Sequence, residues 1–206
     1  MGGDPWRKIP VAVAVDMGCA QIDPDIRPLT PPGRQPPLFG RAVTAICEPP
    51  DFGAVLHALD AVGPGDVLVI AARGARDHAM IGEILCGHLR ARGCAGVVCD
   101  GAVRDVGAIA SWGDFPVFSR WITPRGPTGA EKGVVNSAAT VGGVWVEPGD
   151  LILGDDDGLV VVSPADQRAK LAACEAKVAK EAEWIAGLAS GRPVAEVFGL
   201  KPLGGS

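Results

Sequence analysis

A chain of 206 residues, 48% of them hydrophobic, is long enough to bury a core of its own and too apolar to be disordered throughout. Its net charge of −5 argues against a broad nucleic-acid-binding face, and no apolar stretch approaches the roughly 18 uninterrupted residues of a membrane span. The 29 glycines and 18 prolines imply many turns and short elements rather than a helical bundle.

The N-terminal stretch MGGDPWRKIPVAVAVD has a short apolar run but neither the hydrophobic region nor the cleavage signature of a secretory leader. Trp6 stands where a myristoylation signal needs Ser or Thr. The six cysteines form no CxxC pair, and several fall inside apolar runs, where a free thiol acts as a small hydrophobe. A cytoplasmic protein with reduced thiols is expected.

In chain order, Val11 to Val15 reads as a first strand or a buried apolar segment, and Gln21 to Phe39 as an irregular excursion rich in Pro, Asp and Gly. Arg41 to Cys47 alternates as a strand does; Pro49-Pro50 stops it, and Asp51 is placed to cap a helix running to Ala61. After a tight connection at Val62 to Asp66 comes the central unit. Val67 to Ala71 is a strand, Ala72 to Asp77 a loop, and Ala79, Ile81, Ile84, Leu85 and Leu89 space a helix closed by Gly93. Gly96 to Cys99 is a second strand, punctuated by the turn signal Asp100-Gly101. Strand, loop, helix and strand make the unit of parallel sheet pairs.

Beyond it, Val106 to Trp112 suggests a short helix and Phe115 to Ser119 a strand. Thr123 to Gly133 is a loop, and Val134 to Val146 gives one or two strands around Gly142-Gly143. Leu151 to Leu153 and Leu159 to Val162 flank Gly154-Asp-Asp-Asp-Gly158 as a β-hairpin. From Ala165 to Ser190, residues 165–190, Leu171, Val178, Ile185 and Leu188 stand at helical spacing, which predicts a C-terminal helix. The whole of 1–206 reads as one domain.

The aspartates 155–157 lack the alternating oxygen ligands and distant Glu of an EF-hand, so a solvated turn is the plainer account. His57, His78 and His88 have no zinc spacing, and no GxSxG, P-loop or GxGxxG occurs. What remains is a constellation. Glu83 falls in the first turns of the predicted helix, and Arg104 and Asp105 follow the second strand. Ligands of open α/β sheets gather at this end, where strand C-termini and helix N-termini meet. Taken singly, Glu83 could simply complement the helix dipole, and Arg104 could be a solvated turn residue paired with Asp100 or Asp105. Together they suit a 2-oxo acid. One carboxylate plus waters fits Mg²⁺, helix amides can hold the acid's carboxylate, and a guanidinium can meet its keto oxygen.

Glu83, twenty intervening residues and then Arg104-Asp105 resembles the D/E-x20-R-D signature of the RraA-like family, named for regulator of ribonuclease activity A. AMIGE at 79–83, GCAGVVCDGAVRD at 93–105, Thr123-Pro124, VGGVWVEPGD at 141–150 and GDDDGLVVV at 154–162 carry the same resemblance, over about residues 38 to 200. Residues 1–37 diverge: the family's Ser-Asp-Ala-Leu-like helix start is replaced by VAVDMGCAQIDPDI.

The resemblance implies an α/β fold with a β/β/α swivelling-domain-like core and a C-terminal helix, assembled as a homotrimer or homohexamer with sites at subunit interfaces. Its class II 4-hydroxy-4-methyl-2-oxoglutarate/4-carboxy-4-hydroxy-2-oxoadipate aldolase branch implies roles for particular residues. Asp105 would hold Mg²⁺ or Mn²⁺, Arg104 would bind the keto oxygen, and the amides of Ile84 and Leu85 would receive the carboxylate. Glu83 would hydrogen-bond metal-bound waters and help move a proton. The implied reaction cleaves a 4-hydroxy-2-oxo diacid to pyruvate and a second 2-oxo acid, with oxaloacetate decarboxylation through the same enolate. Glu181, Glu183 and Glu196 are available as the acid that a neighbouring subunit lends in such aldolases. The family's founding member implies a different function, a non-catalytic protein-binding regulator of ribonuclease activity. A methyltransferase reading finds no glycine-rich S-adenosylmethionine loop after a first strand.

Overall fold

The structure, a computed structural model, describes residues 3–201. A 3₁₀ turn at Pro5–Lys8 leads into α1 (Val11–Asp16), the short strands β1 (Ala20–Gln21) and β2 (Arg27–Pro28), β3 (Leu38–Ile46) and α2 (Gly53–Ala61). Then come β4 (Asp66–Ile81), α3 (Glu83–Ala91), β5 (Gly96–Val103), α4 (Val106–Ser111) and β6 (Val117–Ile122). The chain closes with β7 (Val134–Val135), β8 (Ala139–Val141), β9 (Val144–Val146), β10 (Leu151–Asp155), β11 (Gly158–Val162), α5 (Pro164–Ala189) and α6 (Val194–Phe198).

The main sheet runs β1-β11-β10-β3-β4-β5-β6-β2, with β7 paired to the end of β3 and β8-β9 forming a separate hairpin. Strands β3, β4, β5 and β6 are parallel to one another, and each step between them crosses over through one of α2, α3 and α4. All three helices bury their apolar sides on one face, with Val55, Cys86, Leu89 and Ile109 in one cluster with Leu68, Ile70 and Val97. On the opposite face Val67, Val69 and Val98 meet Ile22, Ile26 and the β8-β9 hairpin. A third cluster joins Trp6, α1 and the first half of α5 to Leu151, Leu153, Val160 and Val162. Parallel strands covered on both faces explain why the apolar runs at 67–71 and 96–99 are continuous instead of alternating.

Three expectations are corrected. Val11–Val15 is not a strand: it is a buried apolar segment wound into α1, with Val11, Val13 and Ala14 buried. The helix expected from Ala79 begins only at Glu83: Ala79 and Ile81 instead pair with Ala102 and Val103 of β5, and Met80 between them is buried as well. They belong to β4, which continues past the left-handed Arg73 and Gly74 through three register shifts. Asp100-Gly101 is no turn either: both lie inside β5, where a Cβ on Gly101 would approach that of Ala72 to 2.8 Å. The terminal helix stands as expected, capped by the Ser163 hydroxyl on the Asp166 amide and started by Pro164. No helix among the described residues is long and apolar enough to cross a membrane, and all six cysteines are free and buried.

Two ionic clusters fasten the loops. Asp100, nearly buried, accepts from Arg120 Nε at 2.7 Å and from the Gly142 amide at 2.8 Å, while Arg120 Nη1 reaches Asp23 at 2.8 Å. The network ties β5, β6, the 23–25 turn and the β8-β9 hairpin into one unit. Asp51 accepts from three amides, Gly53 at the start of α2 and Glu131 and Lys132 across the chain. Burial pushes its carboxyl up, and the amides of Glu131, Gly53 and Lys132 outweigh that push and hold its pKa below the ordinary 3.8.

Arg120→Ala leaves Asp100 as an uncompensated buried charge, so urea unfolding should show a loss of roughly 3–5 kcal/mol; a loss below about 1 kcal/mol would mean that solvent already screens the pair. A carboxyl whose folded-state pKa is depressed contributes stability that is fully present above its unfolded value and lost as pH falls through the folded one. Hydrogen exchange at the Glu131 and Lys132 amides should therefore be protected near neutrality. Protection should fail as pH drops below 3.8, and Asp51→Ala should abolish it at any pH.

Candidate functional site

The site is assembled where β4 and β5 end side by side. Ile81 pairs with Val103, and the Arg104 amide donates to the Ile81 carbonyl at 3.1 Å, so Gly82-Glu83 and Arg104-Asp105 leave the sheet together. Asp105 must turn the chain sharply from β5 into α4. It does so in the left-handed region at φ 59°, which aspartate tolerates better than most residues.

The Asp105 side chain does not cap its own helix. Its Oδ2 crosses to accept the Glu83 amide at 3.2 Å, and Arg104 Nε lies 3.5 Å from the same oxygen. Oδ1 has no hydrogen-bond partner among the described residues. In α3 the first ladder bond runs from the Cys86 amide to the Gly82 carbonyl at 3.0 Å. The amides of Ile84 and Leu85 therefore precede the ladder and stay free for a ligand at the positive end of the helix. Gly82 permits the crowding: a Cβ there would stand 2.5 Å from Asp105 Oδ2 and 2.8 Å from Arg104 Cγ. Gly126 does the same on the far side, where a Cβ would stand 2.7 Å from Arg104 Nη1.

These groups open onto a cavity of about 330 Å³, near the small end of the roughly 300–1,000 Å³ usual for ligand pockets. Ile84, Leu85, Arg104 and Asp105 all line it. Glu83 differs. Its amide makes the contact, and its side chain is exposed at the rim rather than part of the lining. The sequence reading missed the rest of the wall: Phe52 just before α2 and Leu56 within it, the buried Met80 and Ile81 from the end of β4, and Gly126-Pro127. The Pro-Gly punctuation at 124–127 and the strand-ending Pro49-Pro50 mark two loops at this end of the sheet, but nothing local says that both fold toward Arg104. His78, considered as a pocket residue, is not among the lining residues.

Cys86, on α3 behind the cavity, is no nucleophile. Burial, with smaller contributions from Cys94 and the Asp105 charge, pushes its thiol up to about 12. Among the described residues no group of three or more His, Cys, Asp and Glu side chains could cage a metal ion. The donor set fits a cation held by one carboxylate oxygen, Asp105 Oδ1, and otherwise by water. Mg²⁺ and Mn²⁺ accept that arrangement, whereas a dehydrated protein cage is not on offer.

The sequence model of the RraA-like family, described as Aldolase/RraA, matches residues 12–161. A Halalkalibacterium halodurans protein provisionally named 4-hydroxy-4-methyl-2-oxoglutarate aldolase is 34% identical over 178 residues, which cover 85% of this chain and 83% of that one. Among solved structures, an uncharacterized protein from Pseudomonas syringae superposes with a TM-score of 0.84 at 26% identity, covering 94% of this chain and 91% of the other. The RNA-processing inhibitor RraA from Thermus thermophilis gives a TM-score of 0.64 at 27% identity, over 73% and 88%. The match begins earlier than the motifs around Glu83 suggest, taking in α1 and the segment that diverges in sequence, and stops before α5. By sequence model, relative and fold alike, this chain belongs to the RraA-like family.

Proposed function

We propose that this chain is a divalent-metal-dependent carbon–carbon lyase that releases pyruvate from 4-hydroxy-2-oxo acids, with oxaloacetate decarboxylation through the same enolate. One observation carries the reading. A guanidinium, a carboxylate with one free oxygen and two free helix amides border the same small cavity, the donor set that a 2-oxo acid's oxygens and a cation call for. The diacid 4-hydroxy-4-methyl-2-oxoglutarate is the member of this class named for the Halalkalibacterium relative.

In this reading the amides of Ile84 and Leu85 hold the substrate carboxylate, and Arg104 meets the keto oxygen. Mg²⁺ or Mn²⁺ held by Asp105 supplies Lewis-acid polarisation of the 2-oxo group when bound. The C4 hydroxyl gives up its proton, the C3–C4 bond breaks, and the electron pair passes to C3 and onto the C2 oxygen. Arg104 stabilises the charge that grows there, an effect worth several kcal/mol in a dry site. Glu83, at the rim, is placed to relay the proton through water, and C3 takes up a proton to complete pyruvate. Oxaloacetate loses carbon dioxide in place of the aldol fragment and leaves the same enolate.

The assembly belongs to the proposal too. A homotrimer or homohexamer would bring a neighbour's acid to this rim, and the three available glutamates all stand on the terminal helices, each with a cation of its own chain nearby. Glu181 lies 3.5 Å from Lys177, Glu183 2.9 Å from Lys180 and Glu196 2.9 Å from Arg192. The second reading, a protein-binding regulator of ribonuclease activity, is favoured by the likeness to the RNA-processing inhibitor. Exposed apolar side chains at Ile185, Val194 and Phe198 would serve either assembly or such a partner.

Pyruvate release from oxaloacetate and from 4-hydroxy-4-methyl-2-oxoglutarate should require Mg²⁺ and stop with EDTA. Arg104→Ala should lower kcat/KM by about 10²–10³-fold with unchanged thermal unfolding. Asp105→Asn, which keeps the left-handed turn and removes the charge, is the blank against the metal's own decarboxylation. Turnover that survives in either variant rules out this site, and a folded protein with no turnover above the blank favours the regulator. Gly82→Ala should cost at least tenfold in kcat/KM by forcing Asp105 and Arg104 apart, and Gly107→Ala, where a Cβ meets open space, should not.

A further inference from the structure

A guanidinium on a long, partly exposed side chain must be aimed before it can meet a keto oxygen. The ion pair from Arg104 Nε to Asp105, 3.5 Å long, aims it only loosely. Two backbone walls do more. The stem of Arg104 runs along Gly82, where a Cβ would stand 2.8 Å from Cγ and 3.2 Å from Nε. Its tip lies against Gly126, where a Cβ would stand 2.7 Å from Nη1 and 3.6 Å from Cζ. Beyond its chain neighbours, that Cβ would meet no other heavy atom within 4 Å. The backbone itself does not ask for glycine at 126. Gly126 lies outside the left-handed region, and Pro127 after it favours extended conformations open to any residue. What a side chain at 126 would disturb within the chain is Arg104.

The Gly126 wall is fixed by the same two strands that carry the site. The Ala79 amide of β4 donates to the Arg125 carbonyl at 2.8 Å, and the Thr123 amide donates to the Val103 carbonyl of β5 at 3.0 Å. Gly82 follows Ile81, the partner of Val103. All of these contacts lie within one chain, so neither wall waits on assembly.

We infer that Gly82 and Gly126 form a slot that sets the direction of the Arg104 guanidinium, and that Gly126 is a positioning residue for carbon–carbon cleavage, acting only through Arg104. The inference rests on the lyase reading and deepens it. Charge growing on the C2 oxygen is met by a guanidinium already held in place, which need not reorganise as the C3–C4 bond breaks. A methyl group at 126 would push aside the far end of a flexible side chain rather than backbone, so it costs the fold little and the site much.

The test is a double-mutant cycle of Gly126→Ala with Arg104→Lys, since lysine lacks the Nη1 that the new methyl would strike. Two quantities are read on the native oligomer with Mg²⁺. One is kcat/KM for pyruvate release from oxaloacetate above the metal's own background, and the other is the calorimetric Kd of pyruvate. Gly126→Ala alone should weaken both by about tenfold to a hundredfold with unchanged thermal unfolding. Its crystal structure should show the guanidinium displaced and residues 123–127 in place. In the Arg104→Lys background the same substitution should change the pyruvate Kd by less than about twofold. Where Arg104→Lys binds pyruvate too weakly to read, the crystal structure decides alone. Unaltered values in Gly126→Ala overturn the inference and leave the lyase reading standing. So does an equal loss in both backgrounds, a lowered unfolding temperature, or a loop that moves while the guanidinium stays. Failure of the unsubstituted protein to turn over oxaloacetate removes the lyase reading, while a pyruvate affinity that falls only when Arg104 is present upholds the slot. Absence of pyruvate binding by the unsubstituted protein overturns both.

Discussion

The site depends on a ladder that does not end where its apolar runs end. Strands β4 and β5 pair in plain parallel register from Val67 with Gly96 to Ala71 with Asp100, and then go on through three register shifts to Ile81 with Val103. Without that extension Glu83 and Arg104 would leave the sheet at different heights. With it, the ends of two strands coincide, and the helix that begins after one meets the turn that follows the other. The left-handed Arg73 and Gly74 let β4 bulge without losing its partner, as extra residues in a strand commonly do. Backbone pairing, rather than any direct bond between the functional side chains, places the guanidinium beside the helix amides. The Asp105 contact to Glu83 then locks what pairing has brought together.

Arg120 and Arg104 show how one residue type serves two ends. Arg120 is almost enclosed, at 12% side-chain exposure, and its charge is consumed by Asp100 and Asp23 at 2.7 and 2.8 Å. Arg104, at 40%, has a single carboxylate near it, at 3.5 Å and poorly aligned. The first can do nothing but hold the hairpin and turn against the sheet. The second keeps most of its hydrogen-bonding capacity for something that arrives from solution. Sequence could not assign these roles, because Asp100 stands within reach of either arginine until the direction of each β5 side chain is known.

Much of the fold was legible, and the failures share a cause. The late hairpin, the terminal helix, α2 and the site's core pair of strands all declare themselves through local patterning and caps. The signature at Glu83, Arg104 and Asp105 marked the end of the sheet where the cavity opens. What failed was punctuation inside buried segments. Asp100-Gly101 reads as a turn because Asp and Gly usually meet water there; buried Asp100 is instead satisfied by Arg120 and the Gly142 amide, and Gly101 makes room for Ala72. Ala79 and Ile81 fit a helical spacing only while Met80 between them is ignored, and Met80 is fully buried. At Val11–Val15 a run of five apolar or small residues is too short for period alone to separate helix from strand. Phe52, Leu56 and Pro127 carry no local mark at all, since their role exists only once two distant loops have docked.

That docking gives the cavity two separately fastened ends. Asp105 gathers one end, joining α3, Arg104 and the turn after β5. Asp51 gathers the other end in the same manner, with Oδ1 accepting from Gly53 and Lys132 and Oδ2 from Glu131. Further backbone bonds, from Phe52 to the Gly129 carbonyl and from Thr128 to the Pro50 carbonyl, hold α2 and the 123–133 loop together as one wall. No side chain is shared between the two aspartate clusters. A change on α2 can therefore reshape the cavity wall without moving the amides, the guanidinium or the free carboxylate oxygen. One end of the cavity is built by the strand ends, and the other by a helix and a loop that a different carboxylate holds in place.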